Sequence, residues 1–227
     1  MARLQLAPSI LTADFGRLAE EIKSVESYVD WFHLDVMDGH YVDNLTFGPD
    51  IVAAIAAVTE VPLHVHLMIT DPVSFAPRFA AAGARRISFH PEVTAEPAVA
   101  VAAISNAGAG VGLAIHPDVP VATVSPYLDD VTVVLIMTVR PGFGGQKFLD
   151  SVVPKISEAA AMVQDSGKTA DIDIEIDGGV NLETIGRAVA AGGNILVAGS
   201  AIFDGRDAPA AAKRLRDVLD GAGEGNG

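Results

Sequence analysis

A histidine and an aspartate stand two positions apart in the short apolar segment Trp31–Val36, whose composition predicts a β-strand. Side chains alternate across a strand, so His33 and Asp35 share one face. An imidazole and a carboxylate arranged in this way form half of a metal site. This segment is therefore the first candidate for chemistry.

Two later segments add side chains of the same kinds. His66 lies nearer than His64 to the carboxyl end of Leu63–Met68, and Asp177 directly follows the predicted strand Ile172–Ile176. Two imidazoles and two carboxylates suit zinc and would also accept iron, manganese or cobalt. A lone His or Asp is often only a hydrogen-bonded core residue. Several carboxylates buried together without a cation would be costly, so the group indicates a divalent metal ion or a proton-transfer role.

Several residues near these ligands can each be interpreted in two ways from the sequence. Glu175 shares the parity of Asp177 one layer deeper, where it either supports a ligand or is simply a paired buried carboxylate. Three methionines at strand ends either wall the site with adaptable apolar surface or fill the core: Met37, Met68 and Met137. Four histidines receive no role: His40, His64, His90 and His116.

A glycine-rich segment follows the sixth predicted strand, Val133–Thr138. Its glycines surround one apolar side chain, Phe143, and they are Gly142, Gly144 and Gly145. Glycines permit movement around an apolar anchor, so the segment predicts a lid that closes over a site.

Two more strand ends marked by glycine come after this lid. Gly178 and Gly179 follow the seventh strand, and Gly199 and Ser200 follow the eighth. A short helix opening at Ser200 would turn free N–H groups toward an anion, and together with the lid this predicts a phosphate site. Taken alone, Ser200 could equally be an ordinary helix N-cap.

Short β-branched or apolar segments alternate with Ala-rich amphipathic stretches along the chain. The predicted strands are Leu4–Ile10, Trp31–Val36, Leu63–Met68, Arg86–Phe89, Gly112–Ile115, Val133–Thr138, Ile172–Ile176 and Asn194–Val197. The predicted helices include Phe15–Val29, Val73–Ala82, Ala95–Ala107, Val152–Ser166, Leu182–Ala191 and Ala208–Leu219.

This alternation predicts an α/β fold, a single (β/α)₈ TIM barrel. A doubly wound open sheet is the alternative, but its site would lie at one switch point, whereas the reactive residues here follow many strands. We expect one catalytic domain over residues 1–220 and a disordered Gly-rich tail over residues 221–227.

Composition excludes several classes of function. Acidic side chains outnumber basic ones 29 to 15, and the net charge of −14 would repel nucleic acids and anionic membranes. The chain has no cysteine, which excludes disulfides, thiolate nucleophiles and Cys-ligated zinc. Its first residues lack the pattern of a signal peptide, and its apolar runs are too short for a membrane helix. We expect a cytoplasmic protein without nucleic-acid or membrane partners.

Six motifs carry a resemblance to a known family. They are Leu6–Leu11, His33–His40, Asn44–Pro49, His66–Met68, Pro141–Lys147 and Glu175–Gly179. In this order, across essentially the whole chain, they resemble the ribulose-phosphate 3-epimerase family, whose fold is a TIM barrel of the ribulose-phosphate binding type. The string His-Leu-Asp-Val-Met-Asp-Gly, with the lid and the Asp-Gly-Gly sequence after it, makes the resemblance specific.

The resemblance implies an isomerase of the pentose phosphate pathway that interconverts D-ribulose 5-phosphate and D-xylulose 5-phosphate. It implies one divalent metal ion per subunit, with zinc favoured, held by His33, Asp35, His66 and Asp177. Asp35 and Asp177 would act as acid and base on opposite faces of C3, which explains the inversion through an enediolate. The implied assembly is a homo-oligomer, a dimer or a hexamer.

The resemblance also implies the substrate contacts. Ser9, His66 and Asp177 would touch the sugar. The phosphate end would be held by Gly142, Phe143, Gly144, Gly145, Gly178, Gly179, Gly199 and Ser200.

Three positions depart from the family pattern: Asp43 where proline is common, His116 where asparagine is common, and Arg140 where asparagine or an acidic residue is common. Arg140 borders the lid and could reach a phosphate or a neighbouring loop. These departures leave the substrate's length and the lid's behaviour open.

Rival activities remain. An epimerase acting on the six-carbon allulose 6-phosphate would share every catalytic residue. A lyase is disfavoured because all five lysines lie outside the predicted strands, and Met37 stands where the orotidine-decarboxylase pattern has lysine. A non-enzymatic binding role would not explain carboxylates beside a lid.

Overall fold

The computed structural model describes residues 3–224, which form eight strands and seven α-helices. The strands are β1 (Gln5–Pro8), β2 (Phe32–Met37), β3 (Leu63–Met68), β4 (Ala84–Phe89), β5 (Gly110–Ile115), β6 (Val133–Met137), β7 (Asp173–Asp177) and β8 (Ile195–Ala198). The helices are α1 (Leu18–Val25), α2 (Pro49–Ala56), α3 (Pro72–Ala81), α4 (Pro97–Asn106), α5 (Val153–Asp165), α6 (Ile185–Ala190) and α7 (Ala208–Glu224).

All the strands belong to one parallel sheet, in the order β1-β8-β7-β6-β5-β4-β3-β2. The two end strands, β1 and β2, meet through a parallel bridge between Ser9 and His33. This bridge closes the sheet, so the (β/α)₈ barrel is confirmed and the open sheet is excluded. Closure brings the carboxyl ends of all the strands to one mouth.

The main hydrophobic core lies between the strands and the surrounding helices. Phe32, Leu34 and Val36 of β2 are buried in this layer. The alternate positions, His33 and Asp35, face the barrel interior, where both are also buried. Polar groups in that interior must therefore satisfy one another or a bound ligand.

The prediction of one continuous helix over Phe15–Val29 is wrong. Only α1 is α-helical, and 3₁₀ turns at Phe15–Arg17 and Glu26–Tyr28 flank it. Asp14 accepts a hydrogen bond from the Gly16 amide, and Arg17 has a φ of −135°, outside the helical range. The chain is therefore turned at this point before the helix begins.

The connection from β5 to β6 contains a 3₁₀ segment, Val121–Tyr127, instead of an α-helix. Pro126 inside this segment has no amide hydrogen to donate, which opposes a longer helix. The other predicted helices are present, with ends shifted by no more than three residues apart from the end of α7.

The last helix, α7, reaches Glu224, four residues into the segment predicted as a tail. Residues 225–227 lie outside the described residues, so the tail remains a prediction there. No helix within residues 3–224 combines the length and the apolar character needed to cross a bilayer.

Candidate active site

Three strands carry the predicted metal ligands to the mouth of the barrel. β2 and β3 pair in register, which sets Asp35 beside His66 and His33 beside His64. Asp177 is the last residue of β7 and pairs with Met137 of β6. The alternation of side chains points these ligands inward.

The four predicted ligands converge on one point. His33 Nε2 and His66 Nδ1 lie 3.3 and 3.2 Å from Asp35 Oδ1. Asp177 Oδ2 lies 3.7 Å from the same nitrogen of His33 and 3.8 Å from that of His66. One donor atom from each residue lies within 4.8 Å of the others, which makes a buried cluster that could hold a metal ion.

The two carboxylates of this cluster have opposite pKa shifts. Burial raises the pKa of Asp177 to about 7, and repulsion from Asp35 adds to the rise. Burial would also raise the pKa of Asp35, but electrostatic attraction to His33 and His66 outweighs it and lowers this pKa. Two carboxyl groups whose surroundings separate their pKa values suit an acid and its partner base.

The imidazoles also differ. Burial would lower the pKa of His33, but the charges of Asp35 and Asp177 and a hydrogen bond to Glu175 hold it well above its ordinary value. Burial lowers the pKa of His66 to about 3, which keeps this ring neutral. The metal-free site therefore retains protons on His33 and Asp177 in mildly acidic solution.

Metal binding at pH 6 is expected to release about one proton, that of His33 Nε2, because an imidazole nitrogen must lose its proton before it binds a cation. The pKa of His33 is raised. The ring thus holds this proton below its shifted pKa, and competition with metal weakens as the pH rises. Calorimetry in buffers of different ionisation enthalpy measures the release, and a binding enthalpy independent of the buffer would contradict it.

A second polar layer lies beneath the cluster. Glu175 Oε1 is 2.8 Å from His33 Nδ1, and Glu175 Oε2 is 2.7 Å from His64 Nδ1. His64 Nε2 is hydrogen-bonded to Ser88 Oγ at 2.7 Å. The bond to Glu175 turns the other nitrogen of His33 toward the two aspartates, which favours the interpretation of Glu175 as support for a ligand. His64 received no role from the sequence, although it shares the parity of His66.

A cavity of about 370 Å³ opens at the mouth above the cluster. It is lined by Asp35 and by every predicted substrate contact except His66, which is buried below it. Ser9 does more than face the cavity, because its hydroxyl donates a hydrogen bond to Asp35 Oδ2 at 2.6 Å. The methionines Met37, Met68 and Met137 line the same cavity, which favours their interpretation as its apolar wall.

The predicted lid crosses one side of this cavity. Asn44 donates a hydrogen bond to the carbonyl of Gly142 at 2.7 Å, and Gln146 donates to the carbonyl of Phe143 at 2.8 Å. Phe143 is 59% exposed, so its ring has apolar surface to bury when a ligand is bound. The contact of Asn44 could not be found from the sequence, because it joins two loops that no local pattern relates. Gln146 bonds within its own loop, and no sequence signal singled it out.

Replacing Phe143 by alanine is expected to lower kcat/KM about tenfold or more, because burial of such a ring on closure is worth about 1.5–3 kcal/mol. The melting temperature should change little, since the ring is mostly exposed in the open lid. Steady-state kinetics checks this prediction. An unchanged kcat/KM would show that the ring is not buried during the reaction.

The glycines after β7 fix the base of the site beneath the lid. Gly178 and Gly179 have φ values of +123° and +68°, which side chains rarely adopt. A Cβ at Gly179 would also collide with the backbone of Phe148. Thr138 Oγ1 donates to the carbonyl of Gly178 at 2.6 Å, so this strand end is held in place.

The segment after β8 forms a turn and not the short helix that the sequence predicted. The amides of Ile202 and Phe203 both donate to the carbonyl of Gly199, and the two side chains are buried. Burial of these apolar side chains directs the chain into the core after one turn. Gly199 and Ser200 still line the cavity, and no helix begins at Ser200 for it to cap.

Comparison with known proteins identifies the family. The model of the ribulose-phosphate 3-epimerase family matches residues 5–203. A ribulose-phosphate 3-epimerase of Bacillus subtilis is 47% identical over 94% of this chain and 98% of its own length. The chain belongs to the ribulose-phosphate 3-epimerase family. A chloroplastic ribulose-5-phosphate-3-epimerase of Arabidopsis thaliana is 44% identical over 93% of this chain and 75% of its own length.

Solved structures extend the likeness to barrels beyond the epimerase family. A KGPDC from Streptococcus mutans matches with a TM-score of 0.74 over 96% of this chain and 98% of its own, at 15% identity. An orotidine 5'-phosphate decarboxylase from Pyrococcus horikoshii matches with a TM-score of 0.68 over 95% of this chain and 99% of its own, at 17% identity. At such identities the likeness shows a shared fold and not a shared reaction.

Two of the three departures from the epimerase pattern lie beside each other. Arg140 lines the cavity, and its guanidinium pairs with Asp118 Oδ2 at 2.8 Å. His116 Nδ1 accepts a hydrogen bond from the amide of Asp118. Arg140 thus contacts the neighbouring loop, which is one of the two contacts predicted for it, the other being a phosphate. Nothing in the structure assigns a task to Asp43.

Proposed function

We propose that this chain interconverts D-ribulose 5-phosphate and D-xylulose 5-phosphate by inverting C3, as an isomerase of the pentose phosphate pathway. One observation carries the proposal: Asp35 and Asp177, with opposite pKa shifts, meet at the floor of a lidded cavity. The 47% identity to ribulose-phosphate 3-epimerases supports the choice of substrate.

The residues present fit a divalent metal ion. Within the described part of the chain, Nε2 of His33 is buried without a hydrogen-bond partner, a costly state unless a ligand completes it. Two imidazole nitrogens and two carboxylate oxygens match the donor preferences of zinc, and iron, manganese or cobalt are alternatives. His33, Asp35, His66 and Asp177 would hold the ion. When bound, it would supply Lewis-acid stabilisation of negative charge developing on the substrate oxygens.

The two aspartates divide the proton transfer. Asp35, whose pKa is lowered, is the ionised group that accepts the C3 proton, and Asp177, whose pKa is near neutrality, is the group that delivers one. When one proton is removed from one face of C3 and another is added to the opposite face, the configuration at C3 inverts. The reverse reaction exchanges the roles of the two aspartates. Ser9 holds Asp35 in place through its 2.6 Å hydrogen bond.

The glycine-rich strand ends would hold the phosphate. The substrate's phosphate end would lie against Gly142–Gly145, Gly178, Gly179, Gly199 and Ser200, which all line the cavity. Glycines let backbone N–H groups approach an anion closely. The closed lid would exclude water while negative charge develops on the substrate after loss of the C3 proton.

A substrate comparison tests this proposal against its main rival. We expect kcat/KM with ribulose 5-phosphate to exceed that with allulose 6-phosphate by at least about tenfold, one sugar carbon being worth about 1–3 kcal/mol in a fitted site. The reverse preference would assign the chain to six-carbon ketose phosphates. The absence of turnover with either sugar would refute the epimerase proposal. The dimer or hexamer and the cytoplasmic location stay predictions.

A further inference from the structure

A third histidine ring continues the metal cluster away from the cavity. His90 follows β4, and its Nε2 lies 3.0 Å from Nε2 of His66. Both rings are fully buried, and their centroids lie 5.1 Å apart. Ser88 pairs with His66 in the sheet, and His90, two residues further, has the same inward parity.

The contact between the two rings permits two assignments of hydrogens, and a metal ion at the site would select one of them. Two ring nitrogens form a hydrogen bond only if one carries a hydrogen and the other a free lone pair. Nδ1 of His66 faces Asp35 and Asp177, so its lone pair is the one available to a metal. With a metal ion on Nδ1, the hydrogen of neutral His66 would lie on Nε2 and would be donated to Nε2 of His90. Without the ion, Nδ1 can instead carry the hydrogen and donate it to Asp35 Oδ1 at 3.2 Å.

The far side of His90 faces a carboxylate. In the metal-bound assignment the hydrogen of His90 lies on Nδ1, which is 3.3 Å from Glu92 Oε1, although the two groups do not form a hydrogen bond in this geometry. The hydroxyl of Tyr41 donates to the same oxygen at 2.8 Å, and the Tyr41 ring lies against His90 with centroids 4.8 Å apart. The chain of contacts from His66 through His90 to Glu92 and Tyr41 thus joins the loops after β2 and β4.

We propose that His90 is a positioning residue that fixes the ring orientation and tautomer of the metal ligand His66. The inference rests on the metal site of the proposed function. Partners that hold the second nitrogen of a metal-binding histidine commonly affect metal affinity by about 10–100-fold. His90 does not line the cavity, so its effect reaches the substrate only through His66.

Variants at His90 test this inference through metal binding, without an activity assay. His90→Phe removes the acceptor, His90→Gln supplies an amide oxygen that can accept from His66, and His116→Gln is the matched control at the end of β5. The full chain is stripped of metal, and its affinity for zinc is measured by competition with a chelating dye. The visible spectrum of the cobalt-loaded protein reports the ligand geometry.

We expect His90→Phe to weaken zinc binding by about 10–100-fold and to change the cobalt spectrum. His90→Gln should recover most of the affinity, and His116→Gln should match the wild type. If His90→Phe is insoluble, Glu92→Gln replaces it, with a severalfold loss expected. Wild-type affinity in His90→Phe or Glu92→Gln, with binding abolished in Asp35→Asn, would overturn the role of His90 alone. Failure of the wild type to bind any metal would instead refute the metal site.

Discussion

Replacing Asp177 by asparagine is expected to lower kcat by about 10³-fold or more, because a positioned acid or base contributes about 10²–10⁴-fold and this residue is also a proposed metal ligand. The amide keeps the shape of the side chain but cannot carry the proton that burial holds on the carboxyl group near pH 7. Asp35→Asn should have an effect of similar size, since inversion requires both groups.

Asp173→Asn provides the matched control for these variants. Asp173 begins the strand that Asp177 ends, and it pairs with Arg86 at the opposite end of the barrel. Activity per folded molecule should therefore equal that of the wild type. Turnover within tenfold of wild type in either Asp177→Asn or Asp35→Asn would contradict the assignment of an acid and a base.

Removal of divalent metal is expected to lower turnover at least about 100-fold, because Lewis-acid stabilisation is worth several kcal/mol. Reloading with zinc, iron, manganese or cobalt should restore activity to different degrees, whereas magnesium, which prefers an all-oxygen octahedron, should not. Dialysis against a chelator, metal analysis and activity measurement after reloading test the prediction.

The same metal should stabilise the fold. A ligand at about 100 times its Kd adds about 2.7 kcal/mol to the free energy of unfolding. The melting temperature should therefore rise on reloading, and Asp35→Asn should show a smaller rise. Full activity in protein shown to contain no metal would overturn the metal proposal while leaving the two aspartates to be tested separately.

Much of the fold follows from local pattern. Apolar segments at regular intervals predicted all eight strands, and alternation within Phe32–Met37 placed His33 and Asp35 on the inward face. The position of Asp177 at the end of a strand and its inward parity were enough to predict that it lies in the site, because parallel strands in a closed barrel share one functional mouth. These inferences depend on periods of two residues, which a sequence shows directly.

Other features depend on contacts between distant segments. Asn44 holds the lid carbonyl of Gly142, 98 positions away, and His90 meets His66 across a pair of strands. The turn after β8 depended on burial of Ile202 and Phe203. Tertiary contacts decided each of these cases, so a local pattern could not predict them.

Deuterium incorporation tests the central claim most directly. Metal-loaded protein is incubated with ribulose 5-phosphate in heavy water, and the hydrogen at C3 of the product is followed by nuclear magnetic resonance. Two aspartates that exchange protons with solvent predict xylulose 5-phosphate with deuterium at C3, and no such product from Asp35→Asn or Asp177→Asn. Xylulose 5-phosphate that forms while retaining the original hydrogen at C3 would contradict inversion by a pair of carboxylates.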